Sequence, residues 1–135
     1  ARRIAQWIVE ARRKEKIATT DQLVALVDQA IPKRFHPPKI HVATKVFQAL
    51  RIAVNHELDS LEQILADGAT LLAPGARFCV ISFHSLEDRL VKQAFRENPL
   101  LEVITPKPLT PGRAECLRNP RARSAKLRVA ARGRS

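Results

Sequence analysis

The chain has 135 residues, 45% of them hydrophobic, which suits one domain with a modest core and excludes a wholly disordered polymer. Its 24 Lys and Arg against 13 Asp and Glu leave a formal net charge of +11 and a pI near 10.8, a balance that suits polyanionic partners, nucleic acid first. No apolar run approaches a membrane span and no signal-peptide layout opens the chain, so the expectation is a cytoplasmic location without a membrane partner.

Ile4, Trp7, Ile8 and Ala11 mark one stripe of a first helix, with Arg2, Arg3, Arg12, Arg13, Lys14 and Lys16 on its other faces. Thr19 followed by Gln22 reads as a capping box for a second helix carrying Leu23, Leu26, Val27, Ala30 and Ile31, which Pro32 ends. Pro32 to His41 holds Lys33, Arg34 and Lys39 with no acid and is expected to be an exposed basic loop. From Ala43 the helical pattern resumes through Val46, Phe47, Leu50 and Val54, then Leu58, Leu61, Ile64, Leu65, Ala69 and Leu72. That stretch is too long for one undisturbed helix, and a break is predicted near Asn55 with an end at Ala73-Pro74-Gly75.

The chain is organised around Arg77 to Phe95. Phe78, Cys79, Val80, Ile81 and Phe83 form a nearly continuous apolar run, predicting a strand covered on both faces with Cys79 buried. Ser85 and Asp88 give the S-x-x-[DE] pattern of a helix start, and Leu86, Leu90, Val91, Ala94 and Phe95 continue at helical spacing, with Asp88 and Lys92 as an outer i,i+4 pair. Strand, polar turn, helix places His84 and Ser85 at the carboxyl end of a strand, where open α/β sheets bind ligands.

Leu100 to Thr105 reads as a short strand, Pro106 to Pro120 as a loop, and Ser124 to Ala131 as a half-exposed strand by its alternation. From Lys107 to Ser135 nine basic residues face one acid, Glu115. Cys116 lies in that loop, which makes a disulfide with Cys79 improbable.

The serines and His84 do not read as a hydrolase triad, because no G-x-S-x-G elbow surrounds them. His36 and His41 lack cysteine or carboxylate neighbours at ligand spacing, so no metal is expected. Gln48, Arg51 and Asn55 form one polar stripe on an apolar helix, the pattern of a solvated face or of a face lining a site. Arg121, Arg123, Lys126 and Arg128, flanking a proline loop with almost no acid, are the strongest candidates for phosphate contacts. Six aromatics without Tyr argue against a platform that stacks several bases.

Three segments together, HVATKVFQALRIAVN from His41 to Asn55, ISFHSLEDR from Ile81 to Arg89 and NPRARSAKLR from Asn119 to Arg128, resemble the bacterial 16S ribosomal RNA cytosine-N4 methyltransferases, which use S-adenosylmethionine. The resemblance runs the length of the chain but covers only the C-terminal part of that family. It departs from the pattern at Val42, where proline is usual, and at Ala76, where a second glycine is usual. The resemblance implies an α/β fold, the C-terminal part of a class I (Rossmann-like) methyltransferase sheet preceded by part of a helical substrate-recognition insertion. It divides the chain into insertion residues 1–42 and sheet-domain residues 43–135, with Arg77 to Phe83 as the fifth strand and 100–105 and 124–131 as a closing antiparallel pair.

The strand-end position and the resemblance together give His84 and Ser85 cleft-positioning roles, with a structural hydrogen bond at the strand end as an equal reading of His84. The resemblance implies contacts to 16S ribosomal RNA of the small subunit from His41, Lys45, Gln48, Arg51, Asn55, Arg89, Asn119, Arg121, Arg123, Ser124, Lys126 and Arg128. The S-adenosylmethionine motifs of the family lie upstream, and the isolated glycines Gly68, Gly75, Gly112 and Gly133 form no cradle of their own. The chain alone is expected to be an inactive fragment prone to self-association along its open sheet. The alternative is a non-catalytic basic RNA-binding protein derived from such an enzyme.

Overall fold

A computed structural model of the chain describes residues 2–38 and 40–134; Lys39, counted above among the bases of the proline loop, lies outside the described residues. The chain divides into two compact units, residues 1–55 and 56–135.

The first unit holds α1 (Arg2–Lys14), α2 (Thr20–Ala30), a 3-10 turn (Lys33–Phe35) and α3 (Thr44–Val54). The start of α2 follows from Thr19 and Gln22. The Thr19 hydroxyl accepts the Gln22 amide at 3.3 Å, while the Gln22 side-chain oxygen accepts the amides of Thr19 at 3.1 Å and Ala18 at 2.7 Å. Three otherwise orphaned donors are thus satisfied by two residues. Leu23, Val27 and Ala43 form the buried centre of this unit, with Ile4 and Ile8 of α1 and Val46 and Phe47 of α3 packed against it. Pro32 stops α2. His36 then secures the following turn, its Nε2 meeting the Ile31 carbonyl at 2.8 Å, so the predicted open loop is partly ordered from within.

The second unit holds α4 (Glu57–Leu71), β1 (Arg77–Ser82), α5 (Ser85–Glu97), β2 (Leu101–Val103), α6 (Arg113–Arg118), a 3-10 turn (Pro120–Ser124) and β3 (Lys126–Arg132). The break expected near Asn55 occurs at His56, whose φ of 51° interrupts the helical run before α4. The turn after α4 ends at Gly75, with φ of 80°, and the Ala76 amide closes it on the Ala73 carbonyl at 2.9 Å. The sheet has the order β1-β3-β2 and both pairings are antiparallel, so the last strand lies between the first two. Cys79 opposes Val129, and Val103 opposes Ala130.

The core of this unit is Leu65, Ala69, Val91, Phe95, Leu101 and Ala130, with Phe78 and Val80 packed on it. The Phe78 and Phe95 rings lie 5.5 Å apart. This corrects two expectations. Alternate residues of β1 are exposed, Ile81 at 59% and Cys79 among them, so the strand is covered on one face and Cys79 is not buried. A continuous apolar run does not reveal this, because both faces carry apolar side chains while α4 and α5 supply partners only to Phe78 and Val80.

Candidate functional site

Where β1 ends, the chain makes the polar turn Ser82 to Glu87. Ser82 is buried, and its hydroxyl donates to the Lys126 carbonyl at 3.4 Å. The helix cap is His84, one residue earlier than the S-x-x-[DE] motif places it. His84 Nδ1 accepts the Glu87 amide at 3.3 Å, and the Glu87 carboxylate accepts the amides of Phe83 at 2.8 Å and His84 at 3.2 Å. Ser85 is therefore the exposed first residue of α5 rather than its cap. The S-x-x-[DE] pattern picks out Ser85 with Asp88, whereas the structure builds the capping box from His84 and Glu87 and leaves Asp88 to other partners.

Asp88 turns toward β3 and takes both of the strand's first two cations. Arg128 donates from Nε to Oδ1 at 2.7 Å, and Lys126 donates from Nζ to Oδ2 at 3.1 Å. The outer pair with Lys92 is thus replaced by a buried cross-element pair. Burial pushes the Asp88 carboxyl up, but the hydrogen bonds and charges of Arg128 and Lys126 outweigh it and hold the pKa below the ordinary carboxylate value. Arg128 is only 6% exposed and also donates to the Pro106 carbonyl at 3.3 Å, so its guanidinium is held inside the fold rather than offered to solvent.

His84 has one further property. Because Nδ1 accepts a backbone amide, the ring proton sits on Nε2. That atom is buried without a hydrogen-bond partner; Glu87 Oε1 lies 3.2 Å away but out of line. Glu57, His84 and Glu87 bring ligand-type atoms within 4.8 Å of one another, yet a protonated Nε2 has no lone pair for a cation. The cap therefore assigns His84 the role of a donor.

The remaining predicted residues fall in two places. In the first unit, Lys45 is exposed, His41 is exposed while its Nδ1 accepts the Ala43 amide at 3.2 Å, and Gln48, Arg51 and Asn55 lie along α3 with Gln48 half-buried and the other two exposed. In the second unit, Arg89, Asn119, Arg121, Arg123 and Ser124 are all exposed. The 3-10 turn presents two of them firmly. Ala122 is buried and its amide bonds to the Asn119 carbonyl at 3.0 Å, so Arg121 and Arg123 project from either side of an anchored residue. A groove of about 550 Å³ between α4 and α5 is rimmed by Glu62 and Glu97, and none of the predicted residues lines it. Sequence reasoning missed Asp88 and Glu87 as organisers, because histidine is not among the usual capping residues and nothing local points to the partners of Asp88.

The MraW methylase family model matches residues 1–133. A Desulfotalea psychrophila protein named ribosomal RNA small subunit methyltransferase H is 65% identical over 130 residues, covering 96% of this chain and 44% of that protein. A Synechococcus protein of the same name is 62% identical over 132 residues, covering 98% of this chain and 40% of its own length. The chain spans less than half the length of these curated relatives. A match through both compact units, from α1 to the end of β3, leaves one conclusion: the chain belongs to the MraW methylase family.

Proposed function

We propose that this chain is the substrate-binding and sheet-completing part of a small-subunit ribosomal RNA methyltransferase, which moves a methyl group from S-adenosylmethionine to N4 of a cytidine in 16S RNA. The observation that carries the proposal is the strand order β1-β3-β2 with β3 antiparallel to both neighbours, ending at a polar turn on the carboxyl end of β1, in a chain of this family. In this reading the sheet is the reversing edge of a class I (Rossmann-like) methyltransferase sheet, and α1 to α2 belong to a helical substrate-recognition insertion. The free edge of β1 receives the strand that precedes it in the longer protein.

The methyl donor's site lies in that upstream part. Two glycines here are occupied otherwise: a Cβ on Gly68 would meet the Phe78 ring at 2.9 Å, and Gly75 makes a turn. They form no cradle against which a cofactor's backbone contacts can be built. What this chain contributes is placement. The amino group of cytosine is a weak nucleophile because its lone pair is delocalised into the ring, so orientation carries much of the rate. His84, fixed by its cap, and Ser85 stand at the strand end where that base is oriented, and Arg121 and Arg123 with Asn119, Ser124 and Arg89 contact the RNA backbone. Lys126 and Arg128 act through Asp88 to hold the strand that follows them. His41, Lys45, Gln48, Arg51 and Asn55 supply RNA contacts from α3 and its approach.

The test is methyl transfer from labelled S-adenosylmethionine to small-subunit RNA, measured for this chain and for the longer protein that contains it. Only the longer protein is expected to transfer the label, and to N4 of cytidine. Transfer by the chain alone overturns the division of labour. RNA binding by both without transfer by either favours a non-catalytic RNA-binding role, the reading that exposed Arg121 and Arg123 support by themselves.

A further inference from the structure

We infer that Phe35, together with Arg34, is a stacking platform for an unpaired RNA base. The inference rests on the RNA-binding reading above and adds a base-contacting residue to it. Phe35 is 65% exposed although it is an aromatic residue on an ordered turn. An exposed ring offers its π-face to whatever approaches it, which is the surface that base stacking uses. The Arg34 guanidinium lies over the ring, 4.9 Å from its centroid, which makes a paired cationic and aromatic surface of the kind that bases stack upon.

The turn holds this pair in place before any ligand arrives. The Phe35 amide bonds to the Pro32 carbonyl at 2.8 Å, and the His36 amide to that of Lys33 at 3.0 Å. His36 reaches back to the Ile31 carbonyl and lies 3.7 Å from Asp28, fixing the turn to the end of α2. The surroundings suit a polyanion. Lys33 and Arg34 are exposed, and no acid occurs between Asp28 and Glu57 in the sequence. An apolar protein surface would be met equally well by Phe35 alone; the stacked arginine and the acid-free stretch favour a base with its phosphate.

The low aromatic content noted above argues against a platform for several bases, and one ring is enough for one base. Stacking depends on the π-face, whereas phosphate contacts depend on charge, so the two are separable by experiment. The probe is a fluorescein-labelled RNA hairpin with an unpaired loop, compared with a blunt RNA duplex of equal charge, titrated against the 135-residue chain. Phe35→Ala is expected to weaken hairpin binding roughly tenfold or more while leaving duplex binding unchanged. Its melting temperature should match the parent, because the ring is exposed.

A second readout follows the stacking itself. Trp7 is the sole tryptophan, so Phe35→Trp in a Trp7→Phe background carries one reporter, and its fluorescence should be quenched by the hairpin and not by the duplex. Equal hairpin affinity for Phe35→Ala and parent, with no quenching at position 35, overturns the inference. If Arg121→Glu with Arg123→Glu abolishes RNA binding in the same assay, that failure belongs to Phe35 alone; if the parent chain binds neither hairpin nor duplex, the RNA-binding reading falls with it.

Discussion

Asp88 and Arg128, 40 residues apart in sequence, are joined across α5 and β3 by a two-point ion pair, Nε to Oδ1 at 2.7 Å and Nη2 to Oδ2 at 3.4 Å. Their side chains are only 13% and 7% exposed. Removing one charge from a pair this dry leaves the other uncompensated. Asp88→Asn should therefore cost about 3 kcal/mol, read as a lower urea midpoint with unchanged slope. A change within a few tenths of the parent would show that the pair contributes nothing to stability.

The same pair sets an acid limit. Burial raises the Asp88 carboxyl, but the contacts from Arg128 and Lys126 prevail, and the folded pKa lies below the ordinary value. A depressed carboxyl contributes its stability above the unfolded pKa and loses it as pH falls through the folded one. The contribution should thus be complete above about pH 4 and fade at lower pH. Urea midpoints of parent and Asp88→Asn should converge on acidification; a gap that stays constant would remove Asp88 as the cause.

How much of this is legible in the sequence depends on reach. Thr19 and Gln22 lie within one helical turn, and the break at His56 and the end of α2 at Pro32 follow from local chemistry, so all three can be read directly. The antiparallel pairing of 101–103 with 130–132 agrees with the closing pair that the family resemblance implies. Asp88 is different. Its i,i+4 neighbour Lys92 is the obvious partner from sequence, and only the β1-to-β3 register, which brings Lys126 opposite Ser82, exposes the better one. For the same reason the charge count ranks Arg128 with the phosphate contacts, since it does not distinguish an arginine facing solvent from one facing a buried carboxylate.

His84 separates capping from chemistry. Asn is among the strongest N-caps, so His84→Asn keeps an acceptor for the Glu87 amide while deleting the Nε2 donor, whereas His84→Ala deletes both. His84→Ala should lose about 1 kcal/mol and His84→Asn nothing. In the longer protein, His84→Asn is expected to lower kcat for methyl transfer at parental melting temperature. Parental kcat would leave His84 as a cap and no more.

Gly68 tests how tightly α4 sits on β1. In a helix interior Gly→Ala ordinarily stabilises, by roughly 0.5–1 kcal/mol. Here a Cβ would meet the Phe78 ring at 2.9 Å, and that ring is in turn packed 5.5 Å from Phe95. With its neighbours in the core, the ring has little room to yield. Gly68→Ala should therefore destabilise by about 1 kcal/mol, and Gly68→Ala combined with Phe78→Leu should recover part of that loss relative to Phe78→Leu alone. A raised melting temperature for the single variant would show that the ring moves freely.

The basic residues near the C-terminus divide by exposure into two groups that predict opposite experimental signatures. Arg121 and Arg123 are exposed beside buried Ala122, so replacing both with Ala should leave folding intact. If each contacts one phosphate, the slope of log affinity against log salt should become shallower by about 1.4–1.8, the range for single-stranded to duplex backbones. Arg128→Ala should instead destabilise the fold by stranding Asp88, and any loss of RNA binding there should follow the unfolded fraction and vanish at temperatures where the variant is folded. Salt titrations of RNA binding, with melting curves on the same samples, separate the two. Unchanged affinity and slope for Arg121→Ala with Arg123→Ala would place the RNA contacts elsewhere on the chain, whereas a full loss of binding by folded Arg128→Ala would mean that the Asp88 pair opens to admit phosphate.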